Sequence, residues 1–574
     1  MGTRDHVGRG PRRPWLIPAL LTAAGAVLLM GVAASVSLNG DIAYVLGGLI
    51  TGHGAGFDAV DLFLARPVVH RVYLDGILSI VRVTGLDPAG TAGMAVVRAC
   101  GWLTATASAT VLWHGLRRHV PGRIAAATSI AVGLALVASP NWYVLQPDWL
   151  GAVLAVAGLG AALWGSRSIS PLVAGLLFSF AIGAKIAALP WVLLALLVVA
   201  LFSWRRAAAA AGATAVVAAV LVVLQRRELP WEIQWLADQV TLVHNSPLSR
   251  GFSVHGVLRG VRDSLDIGAV NPVIWAAVPA ALLIVVRRPT LRTRVVAAAI
   301  AALAVALSVA SGYGQGEHFA YHWVGMPVLA AGALAWAIAQ DRRGRLPLLV
   351  GAGATTALAI VVCARPAAWR ADHLESTTVL FGVIAIAVSA AALVGHRQTP
   401  PIAPGDAPPP SSLWPIALTI LLLAPLLPSS PGSFEMYNAG GHVGTPLSKH
   451  NAELESMRLA RAQLPADVPV LYLTYGATNF VVENPATCRY PSPQWLQRAT
   501  YEIGPEVMRM DSYRDNLSCL TPTPPAFVVW DTTWFARDRM PQAVGAYVDA
   551  SFDCSPQTRT TILQRQVWVC PRRA

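Results

Sequence analysis

Long apolar runs separated by short polar gaps dominate the chain. Thirteen runs stand out, at roughly 15–38, 91–114, 124–139, 149–165, 170–184, 187–203, 207–224, 271–286, 295–312, 324–339, 346–363, 376–394 and 413–428. About 20 apolar residues at 1.5 Å rise cross a hydrocarbon core of ~30 Å. The segment 170–203 is split in two because Arg167 and Arg205–Arg206 bracket it, giving both ends the same side. The first run exceeds the apolar core of a cleaved signal, about 7–15 residues, and predicts a retained helix. The pattern predicts a polytopic all-α membrane protein of about 11–13 transmembrane helices.

The gaps alternate in charge. Residues 1–14 carry Arg4, Arg9, Arg12 and Arg13. Every second later gap is basic: Arg117, Arg118 and Arg123; Arg167; Arg205 and Arg206; Arg287, Arg288, Arg292 and Arg294; Arg342, Arg343 and Arg345; His396 and Arg397. The other gaps collect the acids, among them Asp41, Asp58, Asp61, Asp75, Asp148, Glu232, Asp238, Glu317 and Glu375; Asp341 and Asp406 are exceptions. Basic loops stay in the cytoplasm. This places residues 1–14 inside, the first outer loop (39–90) and a long outer loop (226–270) outside, and the Pro-rich linker 398–412 inside. The membrane domain then runs from 15 to 428, and 429–574 is an extracytoplasmic domain.

Composition agrees: 55% of the 574 residues are hydrophobic and 13% charged, with mean hydropathy +0.53. The net charge of +13 does not indicate nucleic acid, because the basic residues are scattered between apolar runs rather than gathered on a patch. In the polar C-terminal part, strands are predicted at 468–474, 479–483, 526–531 and 564–570, with helices at 451–464 and 540–547, a small α/β domain. Its four cysteines, Cys488, Cys519, Cys554 and Cys570, predict two disulfides in an oxidising compartment. Four cysteines allow three connectivities; the local pairing Cys488–Cys519 and Cys554–Cys570 is the expectation. Cys100 and Cys363, at the edges of apolar runs, are expected to be packing thiols.

Candidate chemistry concentrates in the outer gaps. Asp41 follows the first apolar run, and Asp58, Asp61 and Asp75 come next, interleaved with His53, Arg66, His70 and Arg71. A carboxylate at the mouth of a membrane helix is costly unless it faces water or a partner. The bland alternative is that Asp41 caps the next helix, predicted to lie along the membrane surface. Gln146-Pro147-Asp148 opens the second outer turn, and Lys185 sits between two short apolar runs in a chain whose only other lysine is Lys449. Glu317, His318, Tyr321 and His322 precede a late run. His318 and His322 are spaced i, i+4, but no third ligand follows at helical spacing, so no metal is expected. Arg66 and Arg71 could simply snorkel, and Lys185 could serve a structural ion pair.

Taken in order and with shared sidedness, these motifs resemble the C-type glycosyltransferase superfamily, integral-membrane enzymes that take sugar from a polyprenyl-phosphate carrier. Within it the resemblance is to bacterial polyprenyl-phosphate-mannose mannosyltransferases, and it covers about residues 15–400. It implies interfacial helices in the first outer loop and an inverting transfer on the outer face. The donor would carry mannose ahead of arabinose, and the acceptor would be a cell-envelope glycan or glycolipid. Asp41 would be the general base, with Asp58 the second choice. Arg66, Arg71, Lys185, His318 and His322 would hold the donor phosphate. His70, Gln146, Asp148, Glu317 and Tyr321 would contact the sugar. Such transfer needs a base for the acceptor hydroxyl and cations for the leaving phosphate. No cofactor is implied, and the partners are lipid-linked donor, acceptor and membrane lipid. The loop 226–270 would form a lid or acceptor groove. Rival readings are a flippase for a lipid-linked sugar, which would carry charge deep within its spans, and a non-catalytic envelope scaffold.

Overall fold

The computed structural model describes residues 38–140, 143–165, 169–245, 253–316, 319–340, 345–363, 365–366, 369, 372–398, 447–474, 478–492, 505–520, 525–562 and 566–574, with isolated positions 25, 31, 419 and 422. The first outer loop holds α1 (Gly40–Gly54) and α2 (Val68–Val83), joined through a 3-10 turn, Ala59–Asp61. Six apolar helices follow: α3 (Thr91–Leu116), α4 (Gly122–Val137), α5 (Pro147–Leu163), α6 (Ile169–Ala184), α7 (Leu189–Phe202) and α8 (Trp204–Glu228). The long outer loop is α9 (Pro230–Asn245) and α10 (Val254–Val270). Five more apolar helices complete the membrane part: α11 (Val273–Val286), α12 (Leu291–Tyr313), α13 (Gly325–Gln340), α14 (Arg345–Cys363) and α15 (Leu374–Gln398). Eleven of the thirteen predicted runs are therefore helices; 15–38 and 413–428, and the linker after residue 398, lie outside the described residues apart from isolated positions.

Six of these helices are long and apolar enough to cross a bilayer, and the remaining apolar ones are shorter. Large aliphatic side chains stand exposed along α8 (Val216, Val220, Val223), α12 (Val295, Val296, Leu303) and α15 (Val379, Val383, Ile386), as lipid contact demands. The chain is a multi-pass membrane protein. Buried at its centre is α5, packed by α3, α6 and α7. Gly160 lets α3 approach α5 closely, since a Cβ there would lie 2.5 Å from the Leu112 nitrogen. The run 170–203 is two helices, as predicted. The break falls at Lys185, whose backbone is extended (φ −164°), before a 3-10 turn, Ile186–Ala188.

The C-terminal part opens with α16 (Leu447–Arg461) and carries a four-stranded sheet in the order β1-β2-β4-β3. β1 (Val470–Leu473) runs parallel to β2 (Phe527–Asp531), while β4 (Val567–Pro571) is antiparallel to both β2 and β3 (Thr560–Ile562). Both disulfides form with the expected pairing, Cys488–Cys519 and Cys554–Cys570. One predicted strand is corrected. Residues 479–482 belong to helix α17 (Thr478–Val482), buried along its whole length, and Glu483 follows it. With every face buried, its β-branched residues carry no helical period, and packing overrides propensity. Helices α18 (Asp511–Leu520) and α19 (Gln542–Ser551) complete the domain.

This domain is seated on the loops that carry α1 and α9. α17 lies against α1 at Gly47, where a Cβ would come within 2.5 Å of the Phe480 nitrogen. Backbone hydrogen bonds cross the junction from Ala486 N–H to the Thr51 carbonyl and from Phe63 N–H to the Arg489 carbonyl, each 2.9 Å. The Tyr44 hydroxyl donates to the Ser492 carbonyl at 3.1 Å. α1 is consequently buried from Asp41 to Gly52 rather than lying open along the membrane surface. α9 is likewise held against the C-terminal domain. Trp235 donates to the Tyr490 hydroxyl (3.2 Å), which donates to Asp515 (2.7 Å). Asp238 accepts from the backbone N–H of Ser512 at the start of α18 (2.9 Å), where a carboxylate stabilises a helix N-terminus.

Candidate functional site

Asp41 sits in the first turn of α1, and the Asn39 side chain caps that helix by accepting the Asp41 backbone N–H at 2.7 Å. The capping role open to Asp41 thus falls to Asn39, leaving the Asp41 carboxylate for other partners. Arg66 donates to Asp41 Oδ2 at 2.9 Å. Gln146, the residue preceding α5, reaches the same oxygen at 3.4 Å. The Asp41 and Arg66 side chains are 10% and 12% exposed. Both partners arrive from strained backbone: Ala65 (φ +50°) precedes Arg66 and Leu145 (φ +69°) precedes Gln146. Left-handed non-glycine residues are costly and persist where surroundings over-determine them, often at functional sites.

Two residues beyond Gln146, Asp148 lies in the first turn of α5 and builds a second cluster. Its Oδ2 accepts from Lys185 Nζ and its Oδ1 from Gln315 Nε2, both at 2.7 Å. Lys185 stands 5.6 Å from the centre of the Tyr321 ring, and the His322 ring meets Tyr321 edge-on at 4.5 Å. The helix break at Lys185 and the 3-10 turn Ala320–Trp323 bring these groups to the mouth of α5. Glu317 and His318 lie outside the described residues.

Arg71, His70 and Asp58 have other surroundings. Arg71, expected at the donor phosphate, is 1% exposed and bound on all sides. It pairs with Glu232 (3.0 Å) and donates to the carbonyls of Ala59, Arg66 and Val60. Glu232 in turn accepts the Val68 backbone N–H that opens α2. Arg71 therefore fixes the backbone of Arg66. His70, expected at the sugar, is wholly buried and donates from Nε2 to the Leu145 carbonyl at 2.7 Å. Burial pushes its pKa down to about 3, so the ring is neutral and acts as a donor to the strained turn before Gln146. Asp58, the second choice of base, is exposed at the entry to a 3-10 turn. Gln315 and Glu232 had no assigned role; nothing in their spacing distinguishes them from other outer polar residues.

Among the described residues no group of three His, Cys, Asp or Glu side chains is placed to hold a metal. The site offers two carboxylates and two cations, each cation paired with an acid, gathered at the N-terminal end of one buried helix. Such an end favours negative charge.

No family model and no curated protein matches the chain. Solved structures of ArnT from Cupriavidus metallidurans share its fold. The apo state is 16% identical, covering 96% of this chain and 97% of that one at TM-score 0.55. The form bound to undecaprenyl phosphate is 15% identical, covering 97% and 98% at TM-score 0.56.

Proposed function

We propose that this protein is an inverting glycosyltransferase. It moves a sugar, mannose ahead of arabinose, from a polyprenyl-phosphate donor to a hydroxyl of a cell-envelope glycan or glycolipid. The reaction takes place on the outer face of the plasma membrane, the side to which the charge pattern of the loops assigns Asp41, Lys185 and the C-terminal domain. The observation that carries this reading is the Asp41–Arg66–Gln146 contact at the mouth of α5, beside Lys185. The undecaprenyl phosphate bound by a protein of the same fold supports the donor class.

In the reaction the acceptor oxygen attacks the anomeric carbon as the bond to the phosphate oxygen breaks. The hydroxyl proton passes to the Asp41 carboxylate, and polyprenyl phosphate departs with the bonding pair. A positioned base of this kind contributes about 10²–10⁴-fold. Arg66 and Lys185 neutralise the charge that grows on the phosphate, so transfer should be indifferent to chelators. Gln146 orients Asp41, and Tyr321 and His322 border the cation at Lys185.

The test is transfer from radiolabelled polyprenyl-phosphate-mannose, and in parallel the arabinose donor, to a membrane extract. Asp41→Asn should lose at least about 10²-fold in turnover while folding normally. Full activity in a folded Asp41→Asn protein overturns the assignment.

A further inference from the structure

Asp41 and Arg66 are assigned roles that the observed arrangement does not let them perform together. Arg66 lies on Asp41 Oδ2 at 2.9 Å, and Gln146 reaches the same oxygen. An oxygen engaged by a guanidinium offers its lone pair poorly to an acceptor proton. Were a proton delivered while Arg66 stayed, the guanidinium would face a neutral acid and forfeit a charge-assisted bond. The second pair is held differently. Asp148 is fixed by Gln315 on its other oxygen, so Lys185 stays tethered to a clamped partner.

We infer that the donor phosphate takes Arg66 away from Asp41, so that the base is unmasked only after the donor has bound. This rests on the reading of the site as a polyprenyl-phosphate site. The exchange swaps one charge-assisted contact for another and moves no proton. The backbone need not follow. The Arg66 carbonyl is fixed by Arg71 and its following residue, Pro67, opens α2, so the guanidinium reaches the phosphate by side-chain rotation alone. Arginine suits the exchange, because the same planar fork fits a carboxylate and a phosphate. Before the donor arrives each cation of the site is matched by an acid. An acceptor that enters first meets an Asp41 whose Oδ2 is already engaged by Arg66 and Gln146.

Binding of undecaprenyl phosphate to the full chain in lipid nanodiscs tests this, followed by a cryo-EM structure of the loaded protein. Asp41→Asn should bind the lipid more tightly by about tenfold, because no ion pair has to open. Arg66→Gln should bind it more weakly. The loaded wild-type structure should show the guanidinium on the phosphate and more than about 4 Å from Asp41, beyond ion-pair distance. If Asp41→Asn does not fold, Asp41→Ser serves. Unchanged or weaker binding by a folded Asp41 variant overturns the exchange, as does a loaded structure with the pair intact. No saturable binding by the wild type overturns the donor reading itself, and the exchange with it.

Discussion

The Arg71–Glu232 pair offers the sharpest test of how the site is supported. Both side chains are 1% exposed, 3.0 Å apart, and link the first outer loop to α9. Replacing Glu232 by Gln keeps the shape and one acceptor but removes the counter-charge. The guanidinium then remains buried without its counter-charge, held by the carbonyls of Ala59, Val60 and Arg66. Breaking one side of a buried ion pair costs about 3–5 kcal/mol, whereas removing both charges is often near neutral. Glu232→Gln should therefore lose about 3–5 kcal/mol, and the double variant Glu232→Leu/Arg71→Met should recover most of it. Reversible unfolding in mixed micelles reads the stability of all variants. Transfer activity should respond differently, because the bond from Arg71 to the Arg66 carbonyl is absent from the double variant. Stability should return in that variant and turnover should not. A loss below about 1 kcal/mol for Glu232→Gln, or full activity in the double variant, refutes the argument.

Two further outcomes follow from the same geometry. His70 is neutral when folded, with its pKa pushed down to about 3 against 6.5 for a free side chain. Its contribution to stability is present above pH 6.5 and is lost as pH falls from there towards 3, about 2 kcal/mol by pH 5. His70→Gln, which retains a donor for Leu145, should flatten that slope, and a pH series of unfolding midpoints checks it. Opening Cys488–Cys519, which closes a separation of 31 residues, should cost about 3–4 kcal/mol by chain entropy. Because Arg489, next to Cys488, accepts from Phe63, the Cys488→Ser variant should show faster proteolysis between the outer domain and the first loop.

Much of this architecture is written in the alternation of apolar and charged stretches. Runs such as 91–114 and 295–312 became α3 and α12 with ends shifted by only a few residues, because a bilayer imposes a length and a composition that soluble packing does not. The disulfide pairing was legible for a related reason, since short separations favour local closure. Where the reading failed, the cause was burial by a distant part of the chain. The stretch after Asn479 looks like a strand until α1 offers Gly47 as its seat. His70 and Arg71 look like ligands because nothing in their own neighbourhood announces Leu145 or Glu232. Those contacts join residues 75 and 161 positions apart, and no local period records them.

Two residues that touch the Asp41 carboxylate show how the site is held. Arg66 and Gln146 each follow a non-glycine residue held at positive φ. Local propensity opposes that conformation at alanine and leucine, so no local signal announces either turn. The strain is tolerated because Arg71 holds the Arg66 carbonyl on one side and His70 holds the Leu145 carbonyl on the other. Arg71 and His70 are neighbours on α2. One buried helix turn thus sets the backbone of both partners of the carboxylate. Arg71 and His70 thereby position the two partners of the carboxylate, with their hydrogen-bonding capacity engaged by backbone carbonyls and, for Arg71, by Glu232.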